Sequence, residues 1–289
     1  MRFWQVVSFS EPEQLCDIAR GAEEAGFHGV LLSDHLFFPG NLASRYPYSP
    51  DGRPGFDGRT PFPDPWTAIA AMAAVTSRLR FGTMVYILPL RSPLEVAKTV
   101  GTAAVLSGDR VVLGCGAGWI QEEYDALGVD FATRGRRFDE MIEVLRAVWR
   151  GDTFEHHGRF FDYGPLQMSP APRAPIPIWI GGRSDAALRR AARVGDGWIG
   201  TGQHPDELPQ LLGRLRALRE KAGRGREPFE TLVPLVVPPD LDLLRRLEAE
   251  QGVTATTAWP FTYTIGPASM LAQKRDAMRR FGDEVIAKL

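Results

Sequence analysis

The stretch RVVLGCGAGWIQEEYDALG, Arg110 to Gly128, runs an apolar strand into three alternating glycines and then into a charged, helix-like segment. Gly114, Gly116 and Gly118 leave the backbone bare at a strand end, where a flat or anionic ligand can approach more closely than any Cβ permits. Alternating glycines equally let a strand end pack against a neighbouring backbone, so the spacing alone leaves both readings open. A dinucleotide fingerprint would need a further glycine at position 119, where Trp119 stands, and an early βαβ unit around it. The segment therefore belongs to some other parallel β/α fold.

Working outward, short apolar runs alternate with helical patterns from end to end, the mark of repeated β/α units. Strands are predicted near Phe3–Ser8, Gly29–Ser33, Leu79–Ile87, Val111–Cys115, Ile176–Ile180, Gly197–Gly200, Thr231–Val236 and Val253–Trp259. Helices are predicted over Pro12–Ala25, Pro65–Val75, Pro93–Leu106, Arg134–Trp149, Asp185–Val194, Pro205–Lys221, Asp242–Glu250 and Pro267–Leu289. Prolines 12, 65, 93 and 205 open helices at the position whose N–H has no intrahelical partner. Eight units in 289 residues match the roughly 250 residues of an eight-fold barrel. The predicted fold is a (β/α)8 TIM barrel forming one domain over residues 1–289.

Two segments interrupt the alternation. Residues 36–64 after the second strand are rich in Pro, Gly, Tyr and Phe, and a loop this long in a compact domain is usually a lid or binding element. Its aromatic residues, Phe37, Phe38, Tyr46, Tyr48, Phe56 and Phe62, argue for order. Residues 154–174, after the fourth β/α unit, read as an extended excursion on the same rim.

Composition narrows the partners. A net charge of -1 gives no global pull toward nucleic acid or anionic membrane. Arg134, Arg136 and Arg137 are followed by Glu140 and Glu143 at helical spacing, which reads as a solvated helix face. The two cysteines, Cys16 and Cys115, indicate neither a disulfide framework nor a zinc site, and His156 and His157 read as surface or rim residues, so no metal is expected. No apolar run reaches the ~20 residues that span a bilayer, and the first residues lack a leader pattern. A cytoplasmic protein acting on a small molecule is the expectation.

A barrel carries its site at the C-terminal ends of its strands. Asp34-His35 follows the second strand, Gly114 to Trp119 the fourth, and Gly181-Gly182-Arg183-Ser184 the fifth. The last of these is a strand-to-helix turn whose free amides and helix dipole suit a phosphate, with Arg183 adding charge, or it is a plain N-cap serine with glycines for packing. Adjacent strand residues face opposite ways, so of Asp34 and His35 one should face a ligand and the other support it. Arg91, after the third strand, is a candidate for acidic groups of a cofactor. Trp119 and Phe37 are candidates for the substrate pocket, while Glu123 and Tyr124 are expected to cap and orient their helix.

Five stretches together resemble the bacterial luciferase-like flavin/deazaflavin oxidoreductase superfamily, and more closely its branch of coenzyme F420-dependent oxidoreductases. They are AEEAGFHGVLLSDH (Ala22–His35), LRFGTMVYILPLRSPLEVAKTV (Leu79–Val100), residues 106–149, HGRFFDY (His157–Tyr163) and PIPIWIGGRSDAALRRAARVGDGWI (Pro175–Ile199).

The resemblance implies hydride transfer between the deazaflavin F420 and a small organic substrate covered by the 36–64 loop, in a homodimer that pairs through the helix Trp66–Val75 and its neighbour. It implies a cofactor site drawn from Asp34, Thr83, Met84, Val85, Arg91, Gly114, Gly116, Ala117, Gly118, Gly181, Gly182, Arg183 and Ser184. A non-proline cis peptide at Met84–Val85 would lie under the central ring, and phosphate would bind at Gly181–Ser184. Asp34 would bond the ring or its hydroxylated chain, and His35 would exchange a proton with substrate. The sugar-phosphate dehydrogenase branch has a glutamate just after the last glycine, where this chain has Trp119. The alternatives are an FMN-dependent luciferase-like monooxygenase and a non-catalytic flavin- or deazaflavin-binding protein.

Overall fold

In the computed structural model, which describes residues 1–238 and 240–289, eight parallel strands close into a barrel. They are β1 (Arg2–Val6), β2 (Gly29–Leu32), β3 (Arg80–Thr83), β5 (Val111–Gly116), β8 (Ile178–Gly181), β9 (Gly197–Ile199), β10 (Glu230–Val233) and β11 (Ala255–Ala258). Pairing of β1 with β11 and of β3 with β5 closes the ring. The strand predicted as one run over Leu79–Ile87 is broken: β3 stops at Thr83, and β4 (Tyr86–Ile87) resumes against β5 after a cis peptide at Met84–Val85.

The strands are buried on both faces, as parallel strands covered by helices must be. Inward residues Trp4, Leu31, Val112, Trp179, Ile199, Leu232 and Ala255 fill the barrel. Trp4 and Trp179 meet edge to face at 5.5 Å. With this plug in place, the main cavity opens at the C-terminal end.

The outer layer is α1 (Leu15–Glu24), α2 (Pro65–Ala74), α3 (Pro93–Ser107), α5 (Arg134–Val148), α6 (Asp185–Val194), α7 (Leu208–Lys221), α8 (Leu241–Gln251) and α10 (Leu271–Glu284). Asp64 and Asp240 cap α2 and α8, accepting the N–H groups of Thr67 and Leu243 at 2.7 Å. Two short helices, α4 (Gln121–Ala126) and α9 (Phe261–Thr264), stand at the C-terminal rim and carry residues that bound the cavity or hold its lid. Among the described residues, no helix is long and apolar enough to cross a membrane.

The 154–174 excursion does not join the rim. It forms an antiparallel hairpin, β6 (Phe154–His157) and β7 (Asp162–Leu166), packed on the outside of α5. Glu140 of α5 accepts the N–H groups of Arg159, Phe160 and Phe161, and the Arg137 guanidinium lies 4.5 Å from the Phe161 ring centroid. Among the described residues, none of 154–174 lines the cavity. The chain leaves α5 at its C-terminal end, on the side of the barrel opposite the site, and apolar Phe161 binds it to the helix wall. His156 and His157 are paired with Glu140 and Asp162. The basic cluster also departs from a solvated face, since Arg134 lies 3.7 Å from the Phe131 ring and borders the cavity.

Candidate active site

A cavity of about 1220 Å³ occupies the C-terminal mouth of the barrel and brings together the turns after β2, β3, β5 and β8. Twelve of the catalytic, cofactor and substrate-pocket candidates line it: Asp34, His35, Met84, Val85, Gly116, Ala117, Gly118, Trp119, Gly181, Gly182, Arg183 and Ser184.

Its floor is the break between β3 and β4. The Thr83 hydroxyl donates to the Gly114 carbonyl at 2.7 Å, the Met84 N–H to Leu32 at 2.6 Å, and the Ser33 hydroxyl to the Met84 carbonyl at 3.1 Å. Glycine spacing in β5 answers to this segment. A Cβ on Gly114 would stand 1.9 Å from the Thr83 carbonyl oxygen, and one on Gly116 2.6 Å from Val85. Gly114 and Thr83 therefore do not reach the cavity: they bring two backbones together and let Val85 settle between β5 and β8. The packing alternative holds for Gly114, while Gly116, Ala117 and Gly118 border the cavity as well.

At one end, Gly182 turns the chain from β8 into α6 with φ 111°, a conformation that favours glycine. The Trp198 indole donates to the Gly182 carbonyl at 2.7 Å, fixing the turn. Ser184 is the N-cap of α6, its hydroxyl accepting the Ala187 N–H at 3.2 Å, and Ala186 and Ala187 face the cavity. Free N–H groups of this first turn, the helix dipole and Arg183 make this the anion-favouring end. Arg183 stands 5.6 Å from the Tyr48 ring centroid.

At the other end, His35 lines the cavity with a side chain 11% exposed. Its Nδ1 lies 3.1 Å from Oε2 of Glu123, which is fully buried on α4. The other Glu123 oxygen accepts the Leu36 N–H at 2.8 Å. Glu123 is thus an acceptor on both sides, which places the His35 hydrogen on Nδ1 and leaves Nε2 for the cavity. Phe56, Phe62 and Trp119 surround the imidazole, with ring centroids 5.1, 5.3 and 6.0 Å away. Beyond the helix-orienting role expected of it, Glu123 joins His35 and the start of the lid. Its partner lies 88 residues away, a pairing that only the closed barrel creates.

Asp34 and Arg91 form a support behind this end. Arg91 donates to Asp34 Oδ1 at 2.8 Å and the Ile87 N–H to Oδ2 at 2.9 Å. Burial pushes the Asp34 carboxyl up from its ordinary range, and the Arg91 guanidinium and Ile87 N–H oppose this. Both Asp34 oxygens are committed to protein donors. Arg91 also donates to the Ile87 carbonyl and covers the Tyr86 ring at 4.0 Å, so it does not reach the cavity for cofactor acids. Asp34 and His35 both border the cavity, but the Asp34 oxygens are turned to protein donors while His35 keeps Nε2 on the cavity side.

The 36–64 loop closes over the cavity as an ordered lid. Glu122 accepts the Ala43 and Ser44 N–H groups and the Ser44 hydroxyl, and Ser44 Oγ in return accepts the Gln121 N–H. Burial acts to raise the Glu122 pKa, but the bonds from Ser44 and Ala43 outweigh it and bring the group to about 2. Phe37 is 40% exposed and points away from the cavity, which leaves Tyr46, Tyr48, Phe56 and Phe62 as the lid's lining aromatics. Phe9, Trp259 and Tyr263 complete the wall from β1 and the last β/α unit. The aromatic density of the lid signalled its role; the last three had no such signal in sequence.

Comparison with known proteins agrees with this architecture. A profile of the luciferase-like monooxygenase family matches residues 5–242. An uncharacterized protein of Mycobacterium tuberculosis is 43% identical over the full length of both chains. An F420-dependent glucose-6-phosphate dehydrogenase of Nakamurella multipartita is 32% identical over 82% of this chain and 67% of its own. Among solved structures, a coenzyme F420-dependent tetrahydromethanopterin reductase from Methanopyrus kandleri has a TM-score of 0.73 at 16% identity, covering 99% of both chains. The monooxygenase RslO1 from Streptomyces bottropensis has a TM-score of 0.74 at 20% identity over 100% of this chain and 99% of its own. At those identities the two structures speak for the fold alone.

Proposed function

The chain belongs to the luciferase-like monooxygenase family, and on that footing we propose that it is an oxidoreductase moving a hydride between coenzyme F420 and a small organic substrate. The observation that carries this reading is one cavity with two unlike ends, an anion-favouring helix mouth at Gly182–Ala187 and a histidine fixed by a buried acid at His35. The F420-dependent relative supports the choice of cofactor.

The residues fit such a group. The phosphate of its side chain suits the first turn of α6 and Arg183, and the cavity volume admits a three-ring system over Met84 and Val85. When bound, F420 supplies the hydride or accepts it. His35 would handle the accompanying proton: with its Nδ1–H held by Glu123, the imidazolium form gives the Nε2 proton to substrate in reduction, and the neutral form takes a proton at Nε2 in oxidation. The lid keeps water from the reacting atoms, and its aromatic rings orient the substrate.

Fluorescence titration of the purified protein with F420 and with FMN tests the assignment. Saturable F420 binding that exceeds FMN binding is expected. Tight FMN binding without F420 affinity overturns it in favour of a flavin monooxygenase, and F420 binding without turnover of any acceptor makes the protein a carrier.

A further inference from the structure

A second cavity, of about 360 Å³, lies at the opposite, N-terminal mouth of the barrel, among the starts of β1, β2 and β3. The proposed reaction uses none of it. Its wall includes Arg2, the first residue of β1, His28, which precedes β2, and Arg78, which leads into β3. Half-buried Arg80 opens β3 beside them, its N–H donating to the His28 carbonyl at 3.1 Å.

The carboxylates at this mouth are engaged elsewhere. Glu23 accepts the N–H groups of Ser77, Arg78 and Leu79 at 3.0, 2.6 and 2.8 Å. Glu230 pairs with Arg2 through one oxygen, and its other oxygen is buried and meets no donor, so it holds neither Arg78 nor Arg80. Glu248 is paired with the Met1 amino group. Arg110 is spent on the carbonyls of Ala73, Leu79 and Ser107. Among the described residues, the side chains of Arg78 and Arg80 therefore have no hydrogen bond or ion pair. The His28 imidazole stands 5.1 Å from the Trp4 ring centroid. Burial, with Arg80 and Arg2 nearby, pushes it down to about 4, so it is neutral at physiological pH.

Cations that served only to close the barrel would be matched by acids, as Arg146 is by Asp196 on this same face, at 3.0 Å. Here the guanidiniums of Arg2, Arg78, Arg80 and Arg110 stand against the carboxylates of Glu23 and Glu230 alone, and desolvating a cation without a partner is costly. An oxyanion relieves that cost, since the planar guanidinium fork matches its oxygens. We propose that this cavity binds a small tetrahedral oxyanion such as phosphate, with the Arg78 and Arg80 guanidiniums and the ring N–H of His28 as donors. The site stands independently of the F420 reading.

NMR titration of the His28 imidazole in the full chain tests this, with sulfate, which stays ionised throughout, as the probe and chloride of equal ionic strength as the control. Sulfate should raise the His28 pKa saturably, by about 1–3 pH units, because a neighbouring anion favours the imidazolium. Arg80→Gln should raise it without sulfate, since a repelling cation is gone, and should weaken sulfate by about tenfold or more. Arg183→Gln, at the α6 mouth on the far side of the barrel, should leave the sulfate response of His28 unchanged. A His28 pKa that sulfate does not move, or moves no more than chloride does, overturns the site, as does an unaltered sulfate midpoint in Arg80→Gln.

Discussion

His35 Nδ1 lies 3.1 Å from Glu123 Oε2 while the other Glu123 oxygen holds the Leu36 N–H at 2.8 Å, so one buried side chain orients both the imidazole and the first residue of the lid. In the proposed reaction such a group touches no substrate and acts by fixing the tautomer of the ring that would. Glu123→Gln should lower kcat by about 10–100-fold, as loss of an orienting partner does, with KM and F420 affinity little changed. His35→Ala should cost about 10²–10⁴-fold in kcat. Steady-state kinetics reads both, and an unchanged kcat in His35→Ala removes the proton-transfer role.

Two glycine substitutions should move stability in opposite directions. Gly114→Ala drives a Cβ to 1.9 Å from the Thr83 carbonyl, a backbone atom held in place by its own hydrogen-bonded strand. Overpacking of this kind costs about 1–3 kcal/mol or more. Gly213 sits within α7 with nothing inside 4 Å of its added Cβ, so Gly213→Ala should gain about 0.5–1 kcal/mol through helix propensity. Thermal denaturation of the two variants checks the contrast.

Breaking the Asp34–Arg91 pair should destabilise the fold. Asp34 is 4% exposed, and Arg91 reaches it at 2.8 Å. Removing one partner strands the other charge, at a typical cost of about 3–5 kcal/mol. Asp34→Ala should therefore lower the chemical denaturation midpoint well beyond a surface control such as Asp283→Ala. Equal midpoints contradict the support role.

Acid should release the lid. Glu122 is lowered in the folded protein from 4.5 to about 2, so its contribution is fully present above pH 4.5 and is lost as pH falls from there through about 2. Glu23, Glu140 and Glu11 are likewise lowered and hold other loops and ends, which adds to acid sensitivity below about pH 4.5. Limited proteolysis of the 36–64 loop should accelerate over this window, and Glu122→Gln should already show the faster cleavage at neutral pH. A cleavage rate independent of both contradicts the anchoring role.

Much of the barrel was legible because fully buried parallel strands and proline-started helices leave strong local patterns. The eight predicted strands, from Phe3–Ser8 to Val253–Trp259, all have counterparts in the barrel. Which residues border the cavity was legible where they sit next to a strand end, as at His35 and Gly181–Ser184. It was less so where a residue's role depends on distant chain. Arg91 looks free in sequence and is spent on Asp34, 57 residues away. Gly114 resembles a ligand glycine and instead admits the Thr83 carbonyl. Residues 154–174 look like another rim loop, but no local pattern reveals that Glu140 and Arg137 draw them onto the outside of α5.

The most direct test of the central claim is a crystal structure of the protein with F420. The phosphate is expected at the Gly182–Ala187 turn and the ring system in the same cavity, between that turn and His35. A ring system outside this cavity, or a phosphate held away from α6, contradicts it.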